Sequence, residues 1–492
     1  MKKTGMILFI LLLVLSLSTG CSNQENSITE SNNTTDNNLE QISNKASQSD
    51  ADMFTDRDYR TAYDENESIL IHLNGDSATA SSNSVKISGS TVQITEEATY
   101  IISGTLNNGI ILVDAEDTAK LQIVLNGVSI TNESSAALYI LSADKVFVTL
   151  AEGTENTLAN GGSFIAIDEN NIDAVVFSKQ DLTFNGTGNL IITSPNGNGI
   201  VGKDDLVFTG GNYTINTSSH GIEANDSVRI TGTTQITVDA GKDGIHCENN
   251  DDTSLGFIYI SAGTLNIEAE GDGISASAYM QIVDGTFSVL AGGGSENGSS
   301  QSSNTWGAFM GGDMPPGQQS SSNTATTEDS TSMKGIKTSG TLNIFSGSFQ
   351  INSSDDCIHS NSSITIYGGT FELASGDDAV HADETLTVTA CDMNISESYE
   401  GLEALHIDIQ GGTIKLVATD DGLNAAGGTD SSGTTGGRDG MFGGGRGGMG
   451  GMNSSSNGTI VISGGDLYIN ASGDGIDANG SLEISGGYTV IV

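Results

Sequence analysis

Asp356-Cys357-Ile358-His359-Ser360, followed by Ile364-Thr365-Ile366-Tyr367-Gly368-Gly369-Thr370-Phe371-Glu372-Leu373, is one copy of a unit that recurs along this chain. The position of Cys357 is filled elsewhere by Gly199, Gly221, Gly244, Gly273, Gly335, Ala379, Gly401, Gly422 and Gly475. Gly335, Cys357, Ala379 and Gly401 are each 22 residues apart, and the next step, to Gly422, is 21. That period is too short for helical-hairpin repeats and suits one coil of a β-solenoid. Each copy holds three short strand patterns: Gly-Ile-x-Ala, Leu-x-Ile and Thr-x-x-Ile. Period-two alternation sends Ile and the small Ala inward and the intervening residue outward. The fold expected is all-β, a parallel β-helix with coils of about 22 residues and three short strands per coil.

The pattern divides the chain. Residues 53–170 read as β-rich N-terminal coils and a cap, with runs such as Leu121-Gln122-Ile123-Val124-Leu125 separated by Asn-Gly and Glu-Gly turns. Residues 171–492 carry the regular repeat, broken by insertions at 292–333, which holds Trp306, and at 427–457, which is glycine-rich. Both insertions have too little apolar content to fold alone and read as surface loops. At the N-terminus, Lys2 and Lys3 precede an apolar run, Met6 to Leu17, too short for a comfortable membrane span. It ends in Leu17-Ser18-Thr19-Gly20-Cys21, which resembles a bacterial lipoprotein signal with Cys21 as the lipidated residue. Residues 1–20 are then the signal peptide and 21–52 a polar, disordered tether. The expected location is the extracellular face of the bacterial cell membrane, with the membrane touched only through that lipid.

The charge is the functional clue. The 492 residues carry a formal charge of −45, with 17 Lys and Arg in all, which excludes a nucleic-acid partner because phosphate contacts need cations. Cations, or polymers bridged by cations, suit such a surface. The acids recur at one place: Asp243, Asp272, Asp356, Asp378, Glu400, Asp421 and Asp474 precede the glycine position in seven of the ten copies. Asp355, Asp377 and Asp420 double them one residue earlier. Carboxylates stacked at strand spacing repel unless neutralised, and calcium takes six to eight oxygen ligands. Asp355, Asp356, Asp377, Asp378, Asp420 and Asp421 are therefore the candidate calcium ligands. The competing reading is that Asp-Gly simply makes a corner, with Asp bonding its own backbone. Two residues after the glycine position stand His246, His359, His381 and Glu403 in one column. His359, His381, Glu403 and Tyr367 are the candidate carbohydrate contacts. Cys247 and Cys357 fill small inward positions, and no cysteine spacing suggests a disulfide framework or a zinc motif.

Acidic β-solenoids raise the question of cleavage. Ser354-Asp355-Asp356-Cys357-Ile358 looks like the paired-aspartate motif of polygalacturonases, but the His220-Gly221-Ile222 string precedes it instead of following it. The Asn-Thr-Asp and Arg-Ile-Lys motifs of that family are missing. A calcium-assisted lyase needs a Lys or Arg to take the proton beside a uronate carboxylate, and Lys337, one coil from Asp355 and Asp356, is the candidate.

The chain resembles a family of bacterial carbohydrate-binding β-helix proteins, polysaccharide-lyase-like in shape and typified by a clostridial cellulose- and pectin-binding protein. The matching stretches include Ile71-His72-Leu73-Asn74-Gly75-Asp76, Tyr100-Ile101-Ile102-Ser103-Gly104-Thr105-Leu106 and Ala143-Asp144-Lys145-Val146-Phe147-Val148-Thr149-Leu150. The resemblance implies a right-handed parallel β-helix, bound calcium and affinity for plant cell-wall polysaccharides, pectin (polygalacturonate) or cellulose, without established cleavage. The function expected is that of a monomeric, non-catalytic, lipid-anchored polysaccharide binder. A uronate lyase and a structural or adhesion protein of the envelope are the alternatives.

Overall fold

The computed structural model describes residues 47–298, 332–426 and 457–492. Cys21, Trp306 and the glycine-rich run after residue 426 lie outside the described residues. Within the described residues the chain winds as a parallel β-helix. Ile336 pairs in register with Ile358, Ile358 with Val380, Val380 with Leu402, Leu402 with Leu423 and Leu423 with Ile476. Those partners are the repeat copies themselves, so the sequence period and the coil period coincide. The second strand line runs through Leu342, Ile364 and Leu386, and the third through Phe349, Phe371 and Met393. Two antiparallel hairpins, Ile69–Gly75 with Ala78–Ala80 and Val85–Ser88 with Thr91–Ile94, start the stack, where parallel partners exist on one side only.

Burial follows the alternation. Ile336, Leu342, Ile358, Ile364 and Leu386 are fully enclosed, and so is the phenylalanine column of Phe287, Phe349 and Phe371. The rings of that column stack at 4.6 and 4.7 Å, nearly parallel. One side chain is thus repeated coil after coil at the spacing of adjacent strands. The glycine position has a local reason. A methyl group on Gly335 would lie 2.5 Å from the Cys357 carbonyl oxygen of the next coil. Cys357 and Ala379 occupy the same place in the following coils, so small side chains are accepted where the neighbouring coil makes room, and no left-handed backbone is required. At the last coil, Leu482 and Ile484 are half exposed, because no further coil covers them among the described residues.

One segment departs from the expected tether. Residues 47–60 are not a free linker but a strap laid across the outside of successive coils. Gln48 exchanges hydrogen bonds with Gln281, and the Tyr259 hydroxyl donates to Asp50 at 2.9 Å. Met53 and Phe54 are buried against Val207, Phe257, Tyr259 and Tyr279. Asp58, only 1% exposed, accepts from Thr183 at 2.6 Å and pairs with Lys145 at 2.9 Å. Polar residues dominate the strap's sequence, and the few that anchor it are chosen by the outer face of coils far along the chain, 125 residues away for Thr183. That is why the boundary at residue 52 falls inside a folded segment.

Candidate functional site

The repeated aspartate has a structural task in every coil where its partners are described. Asp243 Oδ1 accepts the Asp272 amide at 2.8 Å, Asp272 Oδ1 the Lys334 amide at 2.8 Å and Asp356 Oδ1 the Asp378 amide at 3.0 Å. Asp378 Oδ1 takes Glu400 N at 3.1 Å, and Asp421 Oδ1 takes Asp474 N at 2.6 Å. One carboxylate oxygen therefore caps the same amide of the next coil, not its own backbone as an Asp-Gly corner would. The second oxygen, Oδ2, faces the column two residues beyond the glycine position. That column is a single in-register ladder from Glu223 through His246, Ser275, Lys337, His359, His381, Glu403 and Asn424 to Asp477.

From Asp272 to Asp378 these second oxygens meet cations. Lys334, itself 4% exposed, places Nζ 2.9 Å from Asp355 Oδ1 and 3.0 Å from Asp356 Oδ2. His359 Nδ1 lies 2.8 Å from Asp356 Oδ2, and Lys337 Nζ lies 3.6 Å from Asp272 Oδ2. His381 is enclosed by three acids: Glu403 at 2.8 Å, Asp378 at 3.3 Å and Asp383 at 3.2 Å. Burial alone would push that imidazole down, but the surrounding carboxylates outweigh it and hold it protonated. His359 and His381 are 2% and 1% exposed. The alternation that was read as turning them outward is overridden by these ion pairs, and neither is open to a polymer in this structure. Lys337 is 8% exposed and held against Asp272 and Ser332, so a uronate would not meet it as a free base.

Tyr367 is placed elsewhere. It ends the second strand line, 44% exposed, with its ring stacked on Phe345 at 4.6 Å and 6°. The structure brings His359, His381 and Glu403 into one ladder but sets Tyr367 on a different strand line as an aromatic platform.

The acids change character after Asp378. Among the described residues, no ion pair reaches Asp420, Asp421, Asp474 or Asp477. Glu400 is held up to about 8, first by burial and then by the Glu403 charge. Asp421 is raised by burial and by Asp420, Asp477 and Asp474 around it. A methyl group on Gly473 would collide with Asp420 Oδ1 and Asp421 Oδ1 together, so the two oxygens flank one small space. Asn424, 7% exposed, donates from Nδ2 to both oxygens of Glu400, at 2.8 and 2.7 Å. Its own Oδ1 is buried and has no hydrogen-bond partner. The C-terminal coils thus carry oxygen donors with no cation beside them among the described residues, Asp420 and Asp421 near Gly473 and the unpartnered Asn424 Oδ1 in the same coil. At Asp355, Asp356 and Asp377 the ligand atoms lie within 4.8 Å of one another, and there the Lys334 ammonium stands beside two of them.

Fold and ladder define an acidic, repeat-built binding surface, and comparison with known proteins gives it a class. A family model described as carbohydrate-binding domain-containing protein matches residues 88–379, more than half of the chain. The chain belongs to that carbohydrate-binding family. A carbohydrate-binding domain-containing protein of Acetivibrio thermocellus is 36% identical over 211 residues, covering 42% of this chain and 73% of that protein. Among solved structures, a polysaccharide lyase-like protein from C. thermocellum, determined as a gadolinium derivative, is 36% identical. It covers 44% of this chain and 89% of its own, with a TM-score of 0.43.

Proposed function

We propose that this chain is a lipid-anchored surface protein that holds an acidic plant cell-wall polysaccharide, polygalacturonate, through calcium bound at its C-terminal coils, and that it does not cleave the polymer. The observation that carries this reading is that Glu400, Asp420, Asp421, Asp474 and Asp477 have no cation paired to them among the described residues, while Asn424 Oδ1 in the same coils is buried without a partner. A protein of charge −45 repels an anionic polymer, so capture needs a cation between the two. Calcium, when bound, supplies that bridge. Asp420 and Asp421 would give it their oxygens, with Asn424 Oδ1 as a neutral ligand. Asp378 spends one oxygen on the Glu400 amide and turns the other to His381, and Asp355 and Asp356 are occupied by Lys334. Calcium at Asp355, Asp356 and Asp377 would have to displace that ammonium.

Binding is favoured over cleavage because Lys337 is buried in an ion pair. The stacked Tyr367–Phe345 pair offers a flat apolar face for a sugar ring, with the hydroxyl at its edge. The test is capture of polygalacturonate on immobilised protein, with calcium or with chelator, and sizing of the recovered polymer. Intact polymer retained only with calcium, and lost on Asp420→Asn with Asp421→Asn, supports the reading. Retention that ignores calcium or these substitutions rejects it, and shortened polymer identifies an enzyme.

A further inference from the structure

A second cluster sits several coils before the acidic one and obeys different chemistry. His246 occupies the same ladder position as His359 and His381. His220, by contrast, stands directly before Gly221, where most other coils carry an acid. Its imidazole stacks on His246 at 4.7 Å, and both rings turn Nδ1 toward one oxygen of Asp243. His246 Nδ1 is 2.7 Å and His220 Nδ1 3.5 Å from Asp243 Oδ2. Asp243 is 8% exposed and is fixed from behind, since its other oxygen accepts the Asp272 amide.

The His246–Asp243 contact is an ion pair whose alignment falls short of a hydrogen bond. Both Nδ1 atoms are buried without an aligned hydrogen-bond partner, because Asp243 Oδ2 lies close to them but off their N–H axes. The downstream pair shows the contrast. His359 and His381 also stack, at 5.0 Å, yet His359 makes an aligned bond to Asp356 and His381 to Asp378 and Asp383. Two imidazole nitrogens and a carboxylate oxygen converging within 4.8 Å, with the nitrogens unsatisfied, are a donor set awaiting an atom between them. His246 Nε2 faces Glu248 at 3.5 Å, the carboxylate–histidine arrangement that orients metal-bound imidazoles.

We propose that His220 Nδ1, His246 Nδ1 and Asp243 Oδ2 form a site for a borderline divalent transition metal of the zinc class. Both histidines line an open cleft of about 550 Å³ with Glu223, Glu248, Asn249 and Asp252 on its walls. The fourth coordination position is left to water or a ligand entering from that cleft, as in exchangeable zinc sites with three protein ligands. Imidazole donors select against calcium, so this site is separate from the oxygen-only set at the C-terminal coils.

The test is calorimetric titration of Zn²⁺ into purified, chelator-stripped protein with excess calcium present, alongside the visible absorption of the Co²⁺ form. The expected result is one saturating equivalent in the micromolar range or tighter, weakened at least about tenfold by His220→Gln or His246→Gln. His406→Gln, at an exposed histidine in another coil, leaves uptake unchanged. Wild-type Co²⁺ protein should show the intense ligand-field absorption of a low-coordinate nitrogen–oxygen site. Absence of saturable Zn²⁺ uptake up to about 100 µM, or uptake unaltered in folded His220→Gln/His246→Gln protein, overturns the proposal. So does a Co²⁺ spectrum identical to that of the hydrated ion, a readout that needs no variant to fold.

Discussion

Replacing Lys334 with Met removes the ammonium between Asp355 and Asp356 while keeping much of the side chain's length. Its Nζ makes contacts of 2.9 and 3.0 Å to carboxylates that are 7% and 0% exposed. At an effective dielectric of about 20, each such contact is worth roughly 5 kcal/mol of Coulomb attraction. Much of that is offset by desolvation in the native protein. What the variant loses is the compensation for two charges that stay buried, and breaking such a pair costs about 3–5 kcal/mol. A solenoid opens locally, so the loss should concentrate in the flanking coils and not in the whole-chain melting temperature. The assay is amide hydrogen exchange of Ile336–Thr338 and Ile358–Ser360 in chelator. Protection there should fall by a factor on the order of 10²–10³ relative to wild type, with coils near Ile123 unchanged. Millimolar calcium should restore part of it, because Asp355, Asp356 and Asp377 then offer converging oxygens without the Lys334 ammonium. Exchange within about threefold of wild type in chelator would refute the reasoning that Lys334 neutralises the ladder. A loss that calcium leaves untouched would reject those three aspartates as a metal site.

Other expectations follow from neighbouring features. Phe349→Ala opens a gap in the phenylalanine column and should cost about 3–5 kcal/mol, read as a lower urea midpoint; Phe349→Leu should cost less than half of that. Glu400 is a carboxyl whose folded form is held up to about 8 against an ordinary value of 4.5. The folded chain therefore binds the extra proton in that window, and stability falls as pH rises through it. In chelator, melting temperature should decline from about pH 5 to pH 8, and Glu400→Gln should flatten that decline; an unchanged slope would count against the acidic cluster. Tyr367→Ala should weaken polysaccharide capture about fivefold with no change in melting temperature, since its ring is exposed and Phe345 remains beneath the site.

The repeat made the architecture legible because a solenoid writes each spatial contact as a sequence interval. Ile336, Ile358, Val380 and Leu402 are neighbours in space for the same reason that they are 22 residues apart. The candidate site was legible only as a column. Sequence pattern placed His359, His381 and Glu403 on one line, but alternation assigns a face and not an exposure. Their burial depends on partners such as Lys334 and Asp383, which sit at other repeat positions. The amide-capping role of the aspartates had a faint signal in the preference for Asp over Glu, whose longer arm misses the next coil's N–H. The strap at 47–60 had none, because its anchors Thr183, Arg229 and Gln281 are ordinary outward residues of distant coils. Asn424 escaped notice because a neutral residue in an acidic column reads as a gap, although its orphaned oxygen is the feature that marks the C-terminal set.

One repeated residue therefore serves two ends, and the division is set by what stands opposite it. Asp243, Asp272, Asp356, Asp378 and Asp421 each give one oxygen to the next coil, which explains the recurrence of aspartate there without any ligand. The surplus charge on the second oxygen is what remains to be balanced. Between Asp272 and Asp378 the chain supplies the balance itself, with Lys334, Lys337, His359 and His381. At Asp243 it supplies two imidazoles that meet one oxygen off the axis of a hydrogen bond. Beyond Glu400 the opposing column turns to Asn424 and Asp477, and the described residues place no cation beside these acids. A uniform ladder is thus partitioned by single substitutions in the facing column into a self-neutralised span, a nitrogen-rich pocket and an oxygen-rich end.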